Sequence, residues 1–133
     1  MAVSIPHKSV PGFSLPLLGL GTWQMGGTEI HDPLNDDARD VQAIVAAIDA
    51  GITHLDTAEY YAAGWAERFV GQAIQRRGRN GLLVASKVYP THLKRDDVIA
   101  ACRSSLERLG IAQLDLYLIH GPNRTVSLRE TMR

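Results

Sequence analysis

Four side chains in this sequence could share the work of moving a proton: Asp56, Tyr61, Lys87 and His120. A phenol with a pKa of about 10 is a poor proton donor at neutral pH. An ammonium beside it stabilises the phenolate and eases the departure of the proton, and a carboxylate can hold that ammonium in place. An imidazole can orient or polarise a carbonyl oxygen next to the phenol. Such a set would protonate a carbonyl oxygen while a hydride arrives at its carbon. The hydride must come from a cofactor, since no side chain supplies one. The stretch THLDTAEYY, from Thr53 to Tyr61, offers two adjacent phenols, Tyr60 and Tyr61, and so raises the question of which one is the acid.

These side chains can act together only if separate elements converge on them. Short apolar runs alternate regularly with helical patterns. LPLLGLG (15–21), ITHLDT, GLLVASKV and AQLDLYLIH read as four strands. Between them, Val41, Ile44, Val45 and Ile48 fall on one helix face, with Asn35 to Asp37 at its start and Gly51 at its end. A second helix, WAERFVGQAIQRRG, gathers Phe69, Val70, Ala73 and Ile74 on one side. A third opens with Asp96 and Asp97 and closes with Arg108 and Gly110, as the macrodipole favours. A fourth begins at VSLRETMR with a capping box, Ser127 and Glu130.

Repeated βα units predict an α/β fold with a parallel sheet and helical crossovers. Strands apolar on both faces fit a sheet covered on both sides. An open doubly wound sheet and part of a (β/α)₈ barrel both satisfy this pattern. Against a dinucleotide-binding open sheet, GLGTWQ puts Gln24 where the third glycine of G-x-G-x-x-G belongs. A full barrel takes typically ~250 residues, and this chain has 133.

In a parallel barrel the reacting groups lie at the carboxyl ends of the strands. Alternation along a strand puts His54 with Asp56, Leu83 with Ala85 and Lys87, and Leu114 with Leu116, Leu118 and His120. If those rows face inward, Asp56, Lys87 and His120 converge in one layer, with Tyr61 above them on a loop. His54 is then assigned to packing inside the barrel.

Composition narrows the function classes. Fourteen basic and fourteen acidic residues give no net charge, which argues against nucleic acid or an anionic membrane as partner. The densest basic run, Arg76-Arg77-Gly78-Arg79, reads as a solvated helix end. The single cysteine, Cys102, falls on an apolar helix face and reads as a packed thiol. No signal peptide or membrane-spanning run is evident, so the expected location is the cytoplasm. His7, His31 and His92 lack partners at metal-ligand spacing, so no metal is expected.

At GLGTWQ, HLDTAEYYAAGWAERFVGQAI, ASKVYP and DLYLIHGPN the chain resembles the N-terminal half of an aldo-keto reductase. That family is a (β/α)₈ barrel that uses NADP(H) without a Rossmann fold. The resemblance implies that Asp56, Tyr61, Lys87 and His120 are a catalytic tetrad acting on small carbonyl substrates. A lone Asp–Lys pair or a lone buried histidine is ordinarily structural, but four such residues in the family's order are not. The family's tyrosine lies five residues beyond its aspartate, which selects Tyr61 and leaves Tyr60 to packing. The resemblance also implies that Thr22 and Trp23, with Asp56, border the nicotinamide, and that Trp23 and Gly121 line the substrate pocket. Gly121 departs from the tryptophan that many members carry there and opens that wall. Trp65 has no match and reads as a surface-packing aromatic.

The remaining strands of the family carry most of its cofactor site. The expected organisation is therefore an N-terminal segment, 1–16, followed by four βα units, 17–133, with the last helix cut short. Two roles follow: a reductase, or a non-catalytic half-barrel that needs another chain to complete it. Self-association through open sheet edges is expected in either case.

Overall fold

The structure, a computed structural model, describes residues 4–133. The chain opens with a hairpin, β1 (His7–Val10) antiparallel to β2 (Phe13–Pro16). Pro11 and Gly12 make its turn, and Gly12 takes the positive φ of 76° that this position asks of the chain. This corrects the expected first strand. Leu15 and Pro16 belong to the hairpin, and only Leu20–Gly21 joins the main sheet, as β3. Leu17 and Leu18 between them are exposed. Gly19 follows, where a Cβ would stand 2.9 Å from His54 Nδ1, so the chain can pass that ring only as glycine.

From β3 onward the alternation holds. α1 (Asp37–Asp49), β4 (His54–Asp56), α2 (Trp65–Arg77), β5 (Leu83–Val88), α3 (Arg95–Leu109), β6 (Leu116–Ile119) and α4 (Leu128–Thr131) follow in turn. The sheet order is β3-β4-β5-β6, all parallel. Asp36 caps α1 by accepting from the Arg39 N–H, and Ser127 caps α4 by accepting from the Glu130 N–H.

One face of the sheet is closed by helices. Val41, Ile44 and Val45 of α1 and Phe69, Val70, Ala73 and Ile74 of α2 pack on Leu55 and Val84. Farther along, Val88, Leu93 and Ala101 form a second cluster with Tyr117 and Ile119 against it. The opposite parity, His54 and Asp56, then Leu83, Ala85 and Lys87, then Leu116 and Leu118, therefore looks away from the helices. Leu114 does not join that inward row. It packs against the helix-side core, because it precedes β6 and strand alternation does not extend to it. The chain bends there at Asp115, whose carboxylate accepts from the Val84 N–H at 2.7 Å and pairs with Arg79.

Arg79 is thus no solvated helix end. It also donates to the Leu82 carbonyl, while Arg77 pairs with Asp49 at the surface. Between α2, α3 and β5 lies a buried carboxylate that periodicity does not announce. Glu67 is fully buried, accepts from Ser86 Oγ at 2.6 Å, and pairs with Arg108 Nε. Cys102 is half-buried in α3, and burial pushes its thiol up. No helix among the described residues is long and apolar enough to cross a membrane.

Candidate active site

The sheet register builds a staircase. Asp56 pairs with Ala85, two residues before Lys87, and Lys87 pairs with Leu118, two residues before His120. Each polar side chain therefore stands one pleat, roughly 6–7 Å, beyond the last on the same face. Lys87 reaches back across that step. Its Nζ donates to Asp56 Oδ2 at 2.7 Å, to the Thr57 carbonyl at 2.9 Å and to Tyr61 Oη at 3.2 Å. An ammonium has three donors, and all three are used.

The third bond fixes what Tyr61 can do. Its oxygen accepts from Lys87, so its own hydrogen is free to point elsewhere. The Lys87 side chain is only 14% exposed, which keeps its charge poorly screened beside the phenol.

A tight turn aims Tyr61 at the strand ends. Ala62 (φ 49°, ψ 41°), Ala63 (φ 52°, ψ 40°) and Gly64 (φ 88°) are left-handed in succession. Alanine tolerates this region poorly, at about 1–2 kcal/mol per residue, so the surroundings must impose it. Ala62 is fully buried and its N–H donates to the Thr28 carbonyl at 2.7 Å. At Gly64, a Cβ would lie 2.7 Å from Arg108 Cδ, so the buried Glu67–Arg108 pair abuts this turn directly.

His120 completes the group from β6. Its ring meets that of Tyr61 edge-on, centroids 5.5 Å apart. Its Nδ1 is buried without a partner, which leaves Nε2 as the nitrogen that can meet an oxygen from the open side. Burial first, and then the Lys87 ammonium, push the imidazole below its usual range, against the opposing charges of Asp56 and Glu59. The ring is therefore uncharged at neutral pH.

Tyr60 takes a different environment one residue away. Its ring lies in a stack, 4.6 Å and 7° from Tyr89 on one side and 6.2 Å and 4° from Trp23 on the other. The nearby Glu29 carboxylate pushes the Tyr60 hydroxyl up to about 12. Among the described residues no ammonium bonds to it, so the adjacent tyrosines are chemically unlike.

The remaining sequence candidates divide. Trp23 is 45% exposed and its ring lies 5.0 Å from that of Tyr61, at the edge of the open face. Thr22 is fully buried, with its N–H and its hydroxyl both spent on the Asp56 carbonyl at 3.0 and 3.1 Å. By these atoms it levels Asp56 rather than reaching a ligand. Gly121 is half-buried, and a Cβ there would meet only Pro90 Cγ, at 3.4 Å. Trp65 lies outside the group, stacked on His31 at 4.1 Å with Arg68 above it. His54 sits on the inward face below Asp56 with Nε2 buried and unpartnered. Sequence reasoning passed over Glu29, Glu59 and Tyr89. The signal for two of them was present, since Glu59 lies inside DTAEYY and Tyr89 inside ASKVYP.

Comparison with known proteins gives the family. The profile of the Aldo/keto reductase family matches residues 17–133. Methylglyoxal reductase YeaE of Escherichia coli (strain K12) is 43% identical over 107 residues, which are 80% of this chain and 36% of YeaE. The thermostable aldo-keto reductase Tm1743, solved with the inhibitor epalrestat, superposes with a TM-score of 0.90 at 44% identity, over 96% of this chain and 47% of its own. An aldo-keto reductase from Klebsiella pneumoniae, solved with NADPH, gives 0.76 at 44% identity over 90% of this chain and 39% of its own. The chain thus spans between about a third and a half of these relatives, and its parallel sheet is about half of their (β/α)₈ barrel. With the profile matched over nearly its whole length, the chain belongs to the aldo/keto reductase family.

Proposed function

We propose that this chain carries the proton-donating side of an NADP(H)-dependent reduction of small aldehydes and ketones. The observation that supports this most is the three-way bonding of Lys87 to Asp56, the Thr57 carbonyl and Tyr61. It leaves one hydroxyl hydrogen, that of Tyr61, unspent on the open face.

The roles follow from the bonding. The substrate carbonyl oxygen lies between Tyr61 Oη and His120 Nε2 and accepts from both. As hydride reaches the carbonyl carbon, the π electrons move to oxygen, which takes the Tyr61 proton and becomes the alcohol hydroxyl. The phenolate left behind faces the Lys87 ammonium, which Asp56 holds in place. Neutral His120 orients the oxygen without adding a second cation beside Lys87. NADPH supplies the hydride when bound, and the half-exposed Trp23 ring beside Tyr61 fits the nicotinamide end of such a cofactor. Gly121 leaves space beside Pro90 on the substrate side. The K. pneumoniae relative solved with NADPH supports the choice of cofactor. We place the activity in the cytoplasm, in keeping with one unpaired cysteine.

A second reading rests on a separate observation. Within the described residues the outer edges of β3 and β6 have no strand partner, and Leu118 on the inward face is 42% exposed. The 133-residue chain alone then binds NADPH weakly and associates with itself or with another chain to cover that face. Sedimentation over a wide concentration range reads this directly. A stable monomer at tens of micromolar with low-micromolar affinity for NADPH overturns it.

Steady-state NADPH oxidation with a small aldehyde tests the first reading in whatever assembly is active. Tyr61→Phe should lose the about 10²–10⁴-fold that a positioned acid contributes, and Tyr60→Phe should keep most of the rate. Equal losses at the two positions sink the assignment.

A further inference from the structure

One carboxylate beside the tetrad has no part in the chemistry above. Glu59 stands two residues before Tyr61, and its side chain is 11% exposed. Its Oε1 accepts from the Tyr89 N–H at 2.6 Å and lies 2.9 Å from His92 Nδ1. Its own N–H donates to the Lys87 carbonyl at 3.4 Å. The segments that leave β4 and β5 are therefore joined through Glu59, and the join lies within two residues of both Tyr61 and Lys87.

Contacts run from that join around the site. Tyr89 stacks on Tyr60, Tyr60 on Trp23, and Trp23 leans against Tyr61. Tyr60 and Tyr61 both meet His120 edge-on, at 6.1 and 5.5 Å. Two open surface clefts border the join. One, of about 200 Å³, is lined by Glu29, Glu59, Tyr60, Ala63, Tyr89 and His92. Another, of about 330 Å³, lies between Glu59, His92 and the α3 residues Asp97, Ser104 and Arg108. The Tyr89 segment is held by its stack on Tyr60 and by Asn123, whose Nδ2 donates to the Pro90 carbonyl at 2.7 Å, and the side-chain hydrogen bonds that tie it to the tyrosine turn are those of the Glu59 carboxylate.

We propose that Glu59 is a positioning residue for proton transfer. It fixes the Tyr89 segment against the Tyr60–Tyr61 turn, and so sets both the Tyr61–Lys87 separation and the plane of the Trp23–Tyr60–Tyr89 wall. Its function is as an acceptor more than as a charge: the backbone N–H it takes is neutral, and His92 is half exposed, where ion pairs contribute little. An amide oxygen of the same reach serves equally. The catalytic consequence rests on the reductase reading; the structural one does not.

Two measurements on Glu59→Gln and Glu59→Ala test this. The first is aldehyde-dependent NADPH oxidation by the active assembly. Glu59→Ala should lower kcat by about 10²-fold, the loss expected when reacting groups shift by an ångström, with KM for the aldehyde little changed. Glu59→Gln should keep most of kcat. The second is circular dichroism of the chain itself. Glu59→Ala should lose the near-ultraviolet band of the stacked rings while the far-ultraviolet spectrum stays, and Glu59→Gln should keep both. Should Glu59→Ala fail to fold, Glu59→Asp replaces it, with the charge kept and the reach one methylene short, and is expected to show the same losses. Wild-type kcat and near-ultraviolet signal in the Ala or Asp variant overturn the proposal. Loss in Glu59→Gln equal to that in Glu59→Ala also overturns it, by assigning the effect to charge. If the wild-type protein shows no aldehyde-dependent oxidation, the reductase reading fails by itself and the dichroism decides on Glu59.

Discussion

The two faces of the sheet are built from the same strands and do opposite things. On the helix side, Leu55, Val84, Phe69 and Val70 are completely buried, and the fully buried carboxylate there, Glu67, is matched by Ser86 and Arg108. On the other side, Asp56, Lys87 and Leu118 remain open to different degrees, and a lysine, a tyrosine and a histidine stand where a core would be apolar. Residues one apart, such as Leu55 and Asp56 or Ser86 and Lys87, fall on different sides of this division. Stability is concentrated on one face, and the capacity for proton transfer is on the other.

If that division is real, substitutions on the two faces should separate rate from stability. The largest effect is expected at Lys87→Met. Removing the cation that stabilises the Tyr61 phenolate should cost about 10²–10⁴-fold in carbonyl reduction. Asp56, about a third exposed, loses its partner but keeps water, so stability should fall by only about 1 kcal/mol. Denaturant melts beside activity assays check both halves. Phe69→Ala tests the other face. It should cost about 3–5 kcal/mol of stability, a large part of the roughly 5–15 kcal/mol such a domain has, while the rate per folded molecule stays near wild type. A rate lost in proportion to nothing but folding would sharpen the comparison; a rate abolished in the folded fraction would break it.

A pH effect of intermediate size is expected at His120. Its folded pKa lies below the ordinary 6.5, so between the two values the unfolded chain binds the extra proton. Stability from this group is thus complete above about 6.5 and is lost as pH falls toward the lowered value. His120→Gln should flatten that part of the stability-versus-pH curve, read by melts across pH 5 to 8, a window of about three units around the ordinary histidine value. The smallest effect is expected at Leu118→Gln. A partly exposed side chain should shift monomer stability by no more than about 0.5 kcal/mol, while any self-association that covers the inward face should weaken measurably in sedimentation.

Much of this division is readable from the residues. Strand alternation alone assigns Leu55 and Asp56 to different faces, because pleat geometry is local and exact in period. Helix periodicity likewise finds Phe69, Val70, Ala73 and Ile74, which the structure buries together. The readings that fail lie where a contact distant in sequence decides. The first strand breaks at Pro16 because Phe13–Pro16 pairs back on His7–Val10, a pairing signalled only by the short Pro11-Gly12 turn. Leu114 leaves its row because Asp115 is pulled toward Arg79 and Val84, 36 and 31 residues away. Glu59 and Glu67 are invisible to periodicity, since a buried acid looks like a surface acid until its donors, Tyr89 and Arg108, are placed beside it. Adjacency misleads most at Tyr60 and Tyr61. The sequence presents a matched pair, yet one hydroxyl meets a carboxylate and the other an ammonium.

Tyr61→Phe tests the central claim most directly, with NADPH oxidation and denaturant unfolding read on the same preparation. The substitution removes one oxygen from the inward face and nothing from the helix-side core. Aldehyde reduction should fall by about 10²–10⁴-fold while the unfolding midpoint stays within the about 0.5 kcal/mol of a surface change. A rate that survives the loss of this hydroxyl, or one that falls only in step with stability, contradicts Tyr61 as the proton donor.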